Sequence, residues 1–79
     1  MSKASAYFTL EHIDGKHDSK ELKRGLDTLP GVSSVSVNES SGRIAVDFDT
    51  TGTRSDRIRS QIEKMGYRIL EAQTDNSTV

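Results

Sequence analysis

"VSSVSVNESSGRIAVDFD", residues 32 to 49, decides the fold. Val32, Val35 and Val37 stand among Ser33, Ser34 and Ser36, and a second run sets Ile44, Val46 and Phe48 between Arg43, Ala45, Asp47 and Asp49. From Val35 onward in the first run and throughout the second this is the two-residue period of strands with one buried face. Asn38-Glu39-Ser40-Ser41-Gly42 between them is the polar, glycine-bearing turn of a hairpin.

Upstream, Pro30-Gly31 closes a helix in which Leu22, Leu26 and Leu29 recur at i, i+4, i+7 while Lys20, Glu21, Lys23, Arg24 and Asp27 take the other face. Gly25 inside that helix costs about 1 kcal/mol relative to Ala, which implies a close approach of the helix to the sheet or to another helix. Earlier still, Phe8 and Leu10 alternate with Tyr7, Thr9 and Glu11 as a first strand. Asp18 fits the cap of the first helix, with Glu21 reaching back to complete a capping box.

Downstream, Thr53 or Ser55 caps a second helix, Thr53 with Asp56 three residues later. Ile58, Ile62 and Met65 form its apolar stripe, so Met65 reads as core, and Gly66 is its left-handed terminator. Tyr67, Ile69 and Leu70 make a short last strand. The order is βαββαβ, an α+β, ferredoxin-like arrangement with a four-stranded antiparallel sheet and both helices on one face. The expected domain covers residues 6–70, with a disordered start at 1–5 and a flexible, patternless tail at 71–79.

Seventy-nine residues allow one core at most. The chain has no cysteine, which removes disulfides, zinc fingers of the thiolate type and iron–sulfur clusters. A net charge of −1 gives no global reason to bind nucleic acid. The start of the sequence lacks the apolar run of a signal peptide, and no stretch reaches the roughly 20 apolar residues of a membrane span, so a cytoplasmic protein without membrane insertion is expected.

The register of these elements carries a resemblance. Phe8-Thr9-Leu10-Glu11, Leu22, Leu26, Leu29-Pro30-Gly31-Val32, Val35-Ser36-Val37, Gly42 to Asp49, Ile58, Ile62 and Gly66-Tyr67 together resemble the heavy-metal-associated domain, the family of copper chaperones and of amino-terminal modules of metal-pumping P-type ATPases. The family motif G-M-T/S-C-x-x-C binds a soft ion through two thiolates. Here it aligns with His12-Ile13-Asp14-Gly15-Lys16-His17-Asp18, which places Gly15 and Asp18 where the cysteines belong and Ile13 where the methionine belongs. A soft ion prefers sulfur, and this loop offers none.

Three other uses of the loop follow from its residue types. His17 and Asp18, with His12 or Asp14, offer nitrogen and oxygen to a divalent metal ion such as zinc or nickel, although His17 and Asp18 are neighbours rather than i, i+4 partners. Gly15, Lys16 and the N–H groups of a helix start attract an anion, but the P-loop spacing is absent and Asp14 and Asp18 oppose it. Lys16, Lys20 and Arg24, spaced four apart with Lys23 beside them, form a basic stripe. In the resembling chaperones the loop and first helix dock on an oppositely charged partner, so the resemblance implies another protein as partner, an acidic domain of a metal transporter. It also implies that Tyr67, after Gly66, shields the loop, although an aromatic at the head of a strand reads first as ordinary packing.

Other functions on this architecture fit less well. The outward positions of Arg43, Ala45 and Asp47 carry no aromatics on which RNA bases could stack. His17-Asp18-Ser19 supplies the residue types of a catalytic triad, but adjacent side chains cannot take up its geometry. The expectation is therefore no enzyme, and a protein-interaction module ahead of a metal binder.

Overall fold

The computed structural model describes residues 3–76. Strand β1 spans Lys3–Leu10, helix α1 Gly15–Asp27, strand β2 Val32–Asn38, strand β3 Arg43–Asp49, helix α2 Ser55–Lys64 and strand β4 Ile69–Asn76. The hairpin anticipated at residues 32–49 is present as β2 and β3, closed by a turn in which Asn38 Oδ1 accepts from the N–H groups of Ser40 at 3.1 Å and Ser41 at 3.3 Å. Gly42 ends the turn at φ +72°, and a Cβ there would lie 2.8 Å from the Leu10 carbonyl oxygen. Only glycine fits both constraints.

The four strands form one antiparallel sheet in the order β2-β3-β1-β4. Ala4, Ala6, Phe8 and Leu10 of β1 face the same side as Ile44, Val46 and Phe48 of β3, because the register sets Phe8 opposite Ile44, Ala6 opposite Val46 and Ala4 opposite Phe48. Leu22 and Leu26 of α1 and Ile58 and Ile62 of α2 join this side in one buried cluster. Both helices therefore cover one face, and that shared layer is the core. No helix among the described residues is long and apolar enough to cross a membrane.

On the opposite face, Asp47 joins three strands. Its carboxylate accepts from Ser5 Oγ of β1 at 2.6 Å and from Ser34 Oγ of β2 at 2.9 Å. These donors hold its pKa below the usual value of 3.8.

Two ends of the sheet depart from the sequence reading. Strand β1 starts at Lys3, so the expected disordered start at 1–5 already holds paired backbone, with Ala4 buried. Strand β4 runs on to Asn76, and the tail expected to begin at residue 71 is instead ladder, Glu71 opposite Thr9 and Asn76 opposite Ala4. Residues 71–75 are exposed, so no apolar alternation marks them. Their order comes from backbone hydrogen bonds to β1 rather than from burial. Residues 1–2 and 77–79 of the expected start and tail lie outside the described residues.

The helix caps differ as well. Helix α1 begins at Gly15, ahead of Asp18, with Asp14 at its N-cap and no side-chain capping bond. Arg54 rather than Thr53 or Ser55 stands at the N-cap of α2, again without a side-chain bond, and the buried Thr53 hydroxyl has no hydrogen-bond partner. Gly66 does take the left-handed conformation, at φ +95°. Gly25 faces α2, where a Cβ would meet the Sδ and Cε of Met65 at 2.8 Å. At the other end of the molecule Gly31 and Gly52 lie back to back, since a Cβ on Gly52 would sit 2.7 Å from the Gly31 Cα.

Candidate functional site

The loop from Glu11 to Asp14 is held at both ends. Glu11 N–H donates to the Arg68 carbonyl at 3.0 Å, and the pairing of β1 with β4 shifts register between Thr9 and Leu10, just before the chain leaves the sheet. Ile13 is buried and pins the loop to the core. Gly15 follows at φ +69°, with open space around the position a Cβ would take. The turn into α1 thus depends on a left-handed residue, which an L side chain occupies only at a cost.

Asp18 closes the turn. Its Oδ2 accepts from the Asp14 N–H at 2.7 Å, so a side chain in the first turn reaches back to the N-cap backbone. This is the reverse half of a capping box moved one residue along, not the cap expected from the sequence. Tyr67, expected in the last strand, instead lies half-buried in the link between α2 and β4, two residues before the strand begins, and directs its hydroxyl to Asp18. Burial, that hydrogen bond and the nearby charges of Asp18, Glu21 and Asp14 push the phenol up to about 12.

The three side chains singled out as metal ligands are not brought together. His12 is exposed at the exit of β1, and His17 is exposed with Nε2 4.0 Å from Glu21 Oε1, one turn further along the helix. Asp18 is half-buried and engaged by Asp14. Among the described residues no three His, Cys, Asp or Glu side chains converge as a group able to hold a metal.

The basic stripe, by contrast, is continuous. Lys16, Lys20, Lys23 and Arg24 are all exposed along α1, starting at the loop and running toward its C-terminus. Glu21 and Asp27 are exposed on the same helix and dilute the charge without interrupting the Lys16-Lys20-Arg24 row. Beside the row, a groove between the two helices has Gly25 and Met65 on its floor. The glycine in the helix was legible in the sequence, but the groove was not, because it depends on which helix face meets α2. The left-handed Gly15 was equally hidden, since nothing in the composition of the loop separates it from an ordinary helix start.

A family model described as the heavy-metal-associated domain matches residues 8–68. No curated protein matches the sequence. Among solved structures, the CopZ metallochaperone superimposes with a TM-score of 0.80 at 23% identity, over 84% of this chain and 98% of its own. Oxidized MerP from Ralstonia metallidurans CH34 follows at 0.77 and 17%, over 87% and 99%. The water-soluble region of the P-type ATPase CopA from Bacillus subtilis gives 0.82 and 24%, over 89% of this chain and 47% of that one. At these identities the solved structures bear on the fold alone.

Proposed function

Because the chain belongs to the heavy-metal-associated domain family, we propose that it is a protein-docking module related to metal-trafficking proteins, working through the face of α1 rather than through a captured thiophilic ion. The observation that carries this reading is the exposed row of Lys16, Lys20, Lys23 and Arg24 beside a loop that contains no sulfur. Where two thiolates would stand, one position is a left-handed glycine and the other a carboxylate already tied to backbone. Tyr67 screens that loop from the side of β4.

The partner this face fits is an acidic domain of a metal transporter. Complementary charge of this kind raises the association rate and selects the partner more than it raises affinity. The test is binding of the module to the soluble amino-terminal domain of a metal-pumping ATPase chosen for an acidic face. Reversing two charges, Lys20→Glu with Arg24→Glu, is expected to abolish the steered association. Undiminished binding of the double variant would rule this face out.

A parallel titration with Zn²⁺, Ni²⁺ or Cu(I) addresses coordination. The amide resonances of residues 12–19 in isotope-labelled protein are expected to stay in place at low micromolar metal. Movement there would make His17, Asp18 and His12 ligands after all and replace the docking reading with a metal one.

A further inference from the structure

The cationic row borders a groove of about 410 Å³ between α1 and α2. Its floor is the bare backbone of Gly25 and the side chain of Met65, and its rim carries His17, Lys20, Glu21 and Arg24. A glycine in a helix interior costs about 1 kcal/mol relative to Ala. What it permits here is specific, because a Cβ would lie 2.8 Å from both Sδ and Cε of Met65. The thioether therefore rests directly on the backbone of α1 and stays half-buried instead of being pushed outward.

Methionine is unbranched and polarizable, and it adapts its shape to whatever apolar group is pressed against it. An apolar floor inside a rim with two permanent cations, one histidine and one acid suits a segment whose apolar side chain is flanked by carboxylates. We propose that this groove anchors the partner, taking one apolar side chain of an acidic segment onto Met65 and Gly25 while its carboxylates pair with Lys20 and Arg24. The inference rests on the docking reading above and adds what the docked partner must carry. Charge steers the encounter, and the anchor slows departure, since interface affinity resides mainly in a few buried side chains.

Two blocked peptides test it, Asp-Glu-Leu-Glu-Asp and the same peptide with Ser in place of Leu, titrated into isotope-labelled protein. The leucine peptide is expected to shift the amides of residues 20–28 and the Met65 methyl, and to bind about tenfold more tightly than the serine peptide. Gly25→Ala should erase that advantage by displacing the thioether, and Met65→Ser, which leaves the α1 backbone alone, should do the same. Lys20→Glu with Arg24→Glu should weaken both peptides together. Equal affinity of the two peptides, with α1 still responding, overturns the anchor and leaves docking by charge intact. An advantage for leucine that survives both Gly25→Ala and Met65→Ser also overturns it. No response of α1 to either peptide overturns the docking reading and the anchor with it. Thermal melts of each variant show that the fold persists.

Discussion

Asp18 ties the first turn of α1 to the loop before it, its Oδ2 accepting from the Asp14 N–H at 2.7 Å. A capping role for an aspartate at a helix start follows from the sequence, and it does hold a backbone N–H, but that N–H belongs to Asp14 and the helix has already begun. What shifts the start is Gly15, whose left-handed conformation turns the chain three residues earlier. Replacing Gly15 by Ala is expected to cost about 1 to 2 kcal/mol, readable as a lower denaturation midpoint at unchanged slope. Rebuilding the pair of thiolates through Gly15→Cys with Asp18→Cys should restore capture of Cu(I) while incurring the same backbone strain. If the rebuilt chain is as stable as the parent, strain at Gly15 is not the cost.

Tyr67 gives a second test at this scale. Its phenol is held up to about 12 by burial first and then by Asp18, so the folded chain retains that proton where an unfolded one loses it near 10. The contribution to stability is present below pH 10 and is lost as the pH rises toward 12. Ultraviolet titration should show one late phenolate transition that disappears in Tyr67→Phe. In Asp18→Asn the transition should move down. A transition unmoved by Asp18→Asn would show that the carboxylate takes no part.

At the scale of elements, the alternating strands β2 and β3 and the leucine and isoleucine stripes of α1 and α2 were legible because burial imposes a period on the sequence. Strand β4 beyond Leu70 was not, because Glu71 to Asp75 are exposed and contribute backbone alone. Deleting residues 71–79 tests the difference, since a loose tail could be removed at no cost. Loss of the ladder between β1 and β4 is expected to lower stability by roughly 3 kcal/mol, from several backbone hydrogen bonds of about 1 kcal/mol each. The serine clasp on Asp47 behaves oppositely to Tyr67. Its depressed pKa contributes stability above pH 3.8 that fades as the pH falls below that value. The stability gap between the parent and Asp47→Ala should therefore narrow in acid, and a gap that is constant with pH would contradict the clasp.

For the whole molecule, one layer of side chains carries the stability. Phe48 is the largest fully buried side chain, and truncating it to Ala is expected to cost about 3 to 5 kcal/mol, a large share of what a small domain has. The overall fold was readable because every helix and strand that faces this layer announces itself through spacing. The candidate site was readable only in part. Its cations lie in sequence order on one helix, whereas the groove beside them is made by two helices far apart in the chain.

The contact between Gly31 and Gly52 sets a limit on how such a molecule can vary. Each backbone occupies the room the other's side chain would need, so the turn entering β2 and the turn entering α2 are locked as a pair, and neither can be lengthened without reshaping its neighbour. Grafts and circular permutations should consequently fail at this pole. The exposed turn at residues 39–41, between Asn38 and the fixed Gly42, is the place where new sequence can be accepted.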